Sequence, residues 1–226
     1  MAHFSPALFE FLRDLKKNND RAWFKDNQER YESAVREPAL AFITAFGPRL
    51  HGISVHFRAD AKKVGGSMFR IHRDVRFSRD KSPYKTNTGL HFRHEAGKDA
   101  HAPGFYVHLE PGGCFIGAGI WRPDGPTTRA IREAIGERRR DWKRAAHGKK
   151  LTRVYRLGGD SLKRAPAGFD ADHPLIEDIK RKDFIAIADL KQSEVTAGDF
   201  DRQLAKRFAA SVPLVKFLCE AVDVPF

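Results

Sequence analysis

Apolar positions recur with a helical period in the first fifty residues. Leu8, Phe11, Leu12 and Leu15 fall at i, i+3, i+4 and i+7 behind Ser5 and Pro6, an N-cap followed by a residue suited to the first helical turn. The pattern predicts an amphipathic helix that stops at Asn18 and Asn19. Asp20 then caps a second helix carrying Trp23, Phe24, Tyr31, Ala34 and Val35, and Pro38 either kinks it or opens a third helix that runs to Gly47 and Pro48. From Val55 the period changes to two. Phe69, Ile71, Val75 and Phe77 alternate with Arg70, His72, Asp74, Arg76 and Ser78, which predicts a half-buried strand with Arg73 standing in its apolar row. Further strands are predicted at Gly89 to His94, Phe105 to Glu110 and Cys114 to Trp121, bounded by Gly and Pro.

The second half reads as mixed elements. A helix starts near Asp124, with Pro126 in its first turn and Ile131, Ala134, Ile135 and Trp142 inward, and Gly148 ends it. A short strand at 153–157, a Pro/Gly-rich stretch at 165–172, a short helix at 174–180 and a strand around Phe184 to Ala188 follow. Phe200, Leu204, Phe208, Val212, Val215 and Phe217 mark a closing helix that Pro213 is expected to break. No repeat, low-complexity tract or linker divides the chain. The expected class is α+β, with N-terminal helices (about 5–50), a central antiparallel sheet (about 55–121) and C-terminal helices, in one domain over residues 1–226.

Composition supports a packed core: 41% of residues are hydrophobic and 18 are Phe, which excludes intrinsic disorder and a coiled coil. The net charge of +12 favours anionic partners but names none by itself; a small anionic ligand is expected first, with a nucleic-acid-binding module or a structural or interaction domain with no small ligand as the alternatives. No apolar run approaches the ~20 residues of a membrane span, so no membrane partner is expected. Pro6, Glu10 and Arg13 interrupt the first turns, which therefore lack the apolar region of a signal peptide. With Cys114 and Cys219 too few and too far apart for a disulfide framework, a reducing, cytoplasmic setting is expected.

Three constellations carry candidate chemistry. Arg70, Arg73, Arg76, Arg79, Lys81 and Lys85 are threaded with Asp74, Asp80, Ser82, Tyr84 and Asn87; guanidinium forks grip phosphate or carboxylate, and hydroxyls and amides complete such a pocket. In the strand assignment Arg70 and Arg76 share the polar face, whereas Arg73 must find a carboxylate, carbonyls or a bulge. The alternative is a solvated face on which Asp74 and Asp80 pair with neighbouring arginines. A hairpin is the second constellation. A four-residue loop at 110–113 pairs Leu109 with Cys114, hence Tyr106 with Gly117 and His108 with Phe115, and puts Tyr106, His108 and Glu110 on one face. Gly117 and Gly119 there mean either close approach by other structure or a ligand floor, on which His108 and Glu110 supply an acid and a base. The third is the stretch 129–156, which holds Arg129, Arg132, Arg138, Arg139, Arg140, Lys143, Arg144, Lys149, Lys150, Arg153 and Arg156 and eight of the twelve net positive charges. Such a surface tracks a phosphate backbone or is simply solvated; no helix-turn-helix, zinc-finger or RNP-type signature accompanies it.

His91, His94 and His101 lack a companion Cys pair or an HExxH pattern, so no metal site is expected, and no P-loop, GxGxxG or CxxC points to a cofactor. The Asn18, Asn19 and Trp23 cluster reads as an interhelical turn with an aromatic anchor.

The segments FLRDLKKNNDRAWFKDNQERYESAVREP (Phe11 to Pro38), FRIHRDVRFSRDKSPYKTN (Phe69 to Asn87) and GFYVHLEPGGCFIGAGIWRP (Gly104 to Pro123) together resemble a widespread bacterial family, the domain-of-unknown-function family 2461. The likeness runs over nearly the whole length in the same order. It implies a cytoplasmic, single-domain protein and assigns no activity. The family commonly carries Tyr where this chain has His72, so the resemblance implies no essential catalytic histidine there.

Overall fold

The computed structural model describes residues 2–97 and 102–226. It opens with α1 (Pro6–Lys17), α2 (Arg21–Asp26), α3 (Gln28–Tyr31), a π-helical turn (Glu32–Arg36) and α4 (Glu37–His51). The stripe of α1 buries Leu8, Phe9, Phe11, Leu12 and Leu15, and Asn18 caps its end. At the start of α2 the Asp20 side chain accepts the Trp23 N–H at 2.9 Å, satisfying one orphan donor of the first turn. The π turn admits Pro38 into the first turn of α4, where its missing N–H costs nothing. α4 then continues through Pro48 and ends at His51.

Three strands follow as a meander, β1 (Thr88–Arg93), β2 (Gly104–Leu109) and β3 (Phe115–Ile120). Beyond them come α5 (Gly125–Glu137), α6 (Arg139–Ala146), α7 (Lys149–Thr152), β4 (Arg156–Gly158), α8 (Ile176–Ile179), β5 (Phe184–Asp189), α9 (Gln192–Val195) and α10 (Phe200–Ala221). The five-stranded sheet has the order β1-β2-β3-β5-β4 with antiparallel neighbours throughout. The architecture is α+β: N-terminal helices, a central antiparallel sheet and C-terminal helices. One sheet face is the core. Phe46 of α4 meets Phe92 at 5.1 Å and Phe208 of α10 meets Phe105 at 4.8 Å, so two helices cover the alternating apolar row of β1 and β2. The β2–β3 register is the expected one, with Tyr106 opposite Gly117 and His108 opposite Phe115.

Two helix expectations fail for physical reasons. The helix from Asp124 divides at Arg138, whose φ of −103° and ψ of 50° leave the helical region, so α5 and α6 are separate. Pro213 does not break α10. Carrying a helix through a proline costs ~3 kcal/mol, but Leu214, Val215, Phe217 and Leu218 beyond it are all buried, each worth ~1.5–3 kcal/mol. The buried Ser211 hydroxyl donates to the Phe208 carbonyl at 2.9 Å.

The largest departure is at 69–78, which is not a strand. Its start does pair with β1, through Phe69 N–H to the Gly89 carbonyl (2.9 Å) and His91 N–H to the Ser67 carbonyl (2.7 Å). The chain then leaves the sheet and folds back on itself, with Arg73 N–H on the Pro83 carbonyl (2.9 Å) and Lys85 N–H on the Ile71 carbonyl (2.8 Å). Ile71 is buried, but Phe77 at the tip is 95% exposed, so the alternation describes no buried face beyond the first turn. Asp74, Asp80 and Ser82 divert the backbone: Asp74 accepts the Arg76 N–H and Asp80 the Ser82 N–H, local bonds that compete with a ladder.

This excursion is fastened to the helices by one side chain. Asn19 Nδ2–H donates to the Tyr84 carbonyl at 3.0 Å while Tyr84 N–H donates to Asn19 Oδ1 at 3.1 Å, so a carboxamide takes the place of a neighbouring strand. The Tyr84 ring stacks on Phe24 at 4.1 Å. Asn19→Ala should therefore cost ~1–3 kcal/mol in urea melts and speed amide exchange at Tyr84, whereas Asn18→Ala, which removes a bond to the Asp14 carbonyl on an exposed helix end, should cost under ~1 kcal/mol. Equal losses would contradict this.

Candidate functional site

The sheet face away from α10 carries Gly89 and His91 of β1, Gly104, Tyr106 and His108 of β2, and Phe115, Gly117 and Gly119 of β3, as the pleat requires. Segment 67–87 lies along the β1 side of this face, where Phe69 meets His91 at 5.9 Å and Tyr106 at 6.0 Å. Glycine makes the space. A Cβ on Gly89 would lie 2.6 Å from the Tyr106 hydroxyl, so Gly89 is what lets this ring lie across β1. Gly117, by contrast, meets only Tyr106 Cβ at 3.8 Å and the Ala186 carbonyl at 3.9 Å, ordinary contacts. Gly119, at φ +127°, sits hard against the Phe184 carbonyl, a close approach of backbone to backbone.

Tyr106, His108 and Glu110 form a continuous hydrogen-bonded chain at positions i, i+2 and i+4. The Tyr106 hydroxyl donates to His108 Nδ1 at 3.0 Å, and His108 Nε2–H donates to Glu110 Oε2 at 3.3 Å. Asn87 Nδ2 also faces Nδ1, at 3.5 Å. Two donors at Nδ1 and a carboxylate at Nε2 assign the tautomer: neutral imidazole with its proton on Nε2. Thr86 Oγ1–H donates to the other Glu110 oxygen at 3.3 Å, and the His108 ring stacks on Phe115 at 4.5 Å. Burial lowers the His108 pKa from its ordinary value, opposed by the bond to Glu110. Burial, with the Glu110 charge adding to it, pushes the Tyr106 phenol up. At neutral pH the chain is a phenol, a neutral imidazole and a carboxylate, an arrangement able to pass a proton along the strand.

Lys85 lies against Phe69, whose ring borders Tyr106. Its ammonium donates to the Arg70 carbonyl at 2.8 Å and lies 5.5 Å from the Phe69 ring centre, and no carboxylate is within ion-pair distance among the described residues. Burial lowers its pKa, and the Arg70 charge lowers it further. The half-buried Lys85 and the exposed Arg70 are thus neighbouring cations beside Phe69.

The rest of the basic segment is differently placed. Arg73 pairs with Asp80 and donates to the Ser82 carbonyl at 3.2 Å, finding the carboxylate and carbonyl that its position demanded. Arg76 makes a two-pronged pair with Asp74, at 2.9 and 2.7 Å, and holds that carboxyl down at about 2. Lys81 donates to the Val75 carbonyl at 3.0 Å, and Arg79 is exposed. Tyr84 is buried against the helices. The structure therefore brings together Asn87, Tyr106, His108 and Glu110, sets Lys85 and Arg70 beside Phe69, and ties Arg73, Arg76 and Lys81 into the loop tip. Phe69, Thr86 and Gly89 also belong to the site; the one available signal was Gly89, a glycine inside a strand.

In the basic stretch, Arg129 pairs with Glu133, Arg138 with Glu220, Arg144 with Asp141 and Arg156 with Asp189, while Arg132 and Arg139 donate to carbonyls. Arg140, Lys143, Lys149, Lys150 and Arg153 are exposed. Among the described residues no group of three or more potential ligands could hold a metal; His94 bonds the Pro225 carbonyl at 2.8 Å, and His101 lies outside the described residues. Both cysteines are free and buried, and among the described residues no helix is long and apolar enough to cross a membrane.

The model of the family described as Conserved hypothetical protein (DUF2461) matches residues 7–217. The chain belongs to this family. No curated protein and no solved structure matches it. The DUF2461 match takes in Asn19, segment 67–87 and the Tyr106–Glu110 strand.

The neutral state of His108 makes a pH prediction. Its folded pKa lies below the ordinary 6.5, so the unfolded chain takes up the proton first; the stability from this group is complete above about 6.5 and is lost as pH falls through the lower, folded value. In an NMR titration the His108 ring should titrate below 6.5, and His108→Gln should reduce the stability lost on acidification through that window. A ring titrating above 6.5 would contradict the assignment.

Proposed function

We propose that the protein binds a small anionic molecule, a phosphate or carboxylate, on the sheet face away from α10, between Lys85 with Arg70 and the Tyr106–His108–Glu110 chain. One observation carries this: a half-buried ammonium beside a second cation, with no carboxylate partner among the described residues, against a Phe69 ring that lies 6.0 Å from the first ring of a hydrogen-bonded chain. Two cations held together repel, and an anion between them removes the repulsion while replacing the water that Lys85 has lost. Gly117 leaves the sheet floor free of side-chain bulk, and Asn87 adds an amide donor. An anion held there puts its neighbouring atoms near the Tyr106 hydroxyl, which donates a hydrogen bond and, with His108 and Glu110 behind it, exchanges a proton. Whether a reaction follows depends on the bound molecule. The ion pairs that occupy much of the 129–156 surface favour this site over a nucleic-acid track.

The test is a residue-resolved NMR titration with inorganic phosphate near pH 7. Shifts should centre on Lys85, Asn87, Tyr106 and His108. Lys85→Met, which keeps the aliphatic stem against Phe69, should raise the Kd at least tenfold with little change in stability. Lys85→Arg should retain most of the binding. Shifts confined to Arg140, Lys149 and Arg153, or a Kd unmoved by Lys85→Met, would overturn the proposal.

A further inference from the structure

A second site lies on the helical side of the same segment. Between α2, α3 and the π turn on one wall and Ile71, His72 and Tyr84 on the other is a cavity of about 250 Å³. At ~30 Å³ per water it has room for about eight waters. Its helical wall is a single stripe: Arg21, Lys25, Gln28, Glu32 and Arg36 recur at steps of four, three, four and four residues, so all reach the same side of the helical run. Its floor is aromatic, built from Phe24, stacked on Tyr84 at 4.1 Å, and Tyr31, 5.3 Å from Phe24.

Charge in the cavity is unbalanced. The π turn brings Arg36 onto Glu32 and sets its guanidinium 4.9 Å from the Tyr31 ring centre, so the one carboxylate of the lining already has its cation. Arg21 and Lys25 face the same space with no carboxylate within ion-pair distance among the described residues. His72 closes the far side, its ring 5.2 Å from Tyr84 and 6.5 Å from Phe24. The lining thus has two cations in excess, next to stacked rings with room for a flat group.

We propose that this cavity binds a phosphate monoester whose organic group is flat or small. The phosphate dianion sits between Arg21 and Lys25, where its charge matches the excess and a guanidinium fork spans two of its oxygens. The ester group lies inward over Phe24 and Tyr84, beside His72. A free carboxylate would neutralise one of the two cations; a phosphate monoester neutralises both. The site is distinct from the Lys85 site: the Tyr84 ring stacks on Phe24 of α2, whereas the Lys85 ammonium lies over Phe69 on the sheet side.

Phenyl phosphate is the probe, with inorganic phosphate and phenol as its two halves. NMR shifts on adding phenyl phosphate should centre on Arg21, Lys25, Tyr31, His72 and Tyr84, with tighter binding than either half shows. Both substituted residues are exposed, so the double variant Arg21→Gln/Lys25→Gln should fold normally and raise the Kd at least tenfold, while Lys85→Met leaves these shifts unchanged. The proposal fails if phenyl phosphate shows no saturable binding below about 10 mM at these residues, if the double variant binds equally well, or if phenol binds as tightly as its phosphate ester.

Discussion

The carboxamide of Asn19 holds the backbone of Tyr84 from both sides, and the arrangement of the molecule around segment 67–87 depends on that pair of bonds. Irregular backbone between two layers has to place its N–H and C=O groups on something other than a ladder. Here the first residues bond to β1, the middle closes on itself, and Tyr84 bonds to the turn between α1 and α2. The segment can thus lie between the helices and the sheet without being a strand of either. Stacking of Tyr84 on Phe24 adds aromatic packing at the same point.

With the segment fixed there, its two sides face different chemistry. Toward the sheet it presents Phe69, Lys85, Thr86 and Asn87 to a face on which Gly89 makes room for the Tyr106 ring and Gly117 adds no side chain. Toward the helices it presents His72 and Tyr84 to the cationic stripe of Arg21 and Lys25. The many arginines between these residues serve the loop itself, since Arg73 and Arg76 are paired with Asp80 and Asp74 only a few positions away. Those pairs are exposed and contribute little to stability; their effect is to hold the shape of the tip.

Much of this was legible in the chain. Helical spacing located α1, Asp20 its neighbour's cap, and the hairpin register followed from the loop length and alternation, which put Tyr106, His108 and Glu110 on one face before any contact was visible. The failures have a common cause. Alternation over 69–78 measures side-chain pattern, while strand formation also needs a partner for the backbone, and Asp74, Asp80, Ser82 and Pro83 supply local bonds or remove a donor instead. The cationic stripe of α2, α3 and the π turn was hidden because its other wall is about 35 to 63 residues away in sequence and is brought near through Asn19. Pro213 was overestimated because a local cost was weighed without the buried rings beyond it.

The central claim, that segment 67–87 makes anion sites of the surfaces it meets, is tested most directly by an X-ray structure of crystals soaked in selenate, an anomalous scatterer with the shape and charge of a phosphate dianion. The account predicts anomalous peaks between Lys85 and Arg70 beside Tyr106, and between Arg21 and Lys25, with the ions away from any neighbouring molecule in the lattice. Peaks only along Arg140, Lys149 and Arg153, with both predicted positions empty, would contradict it.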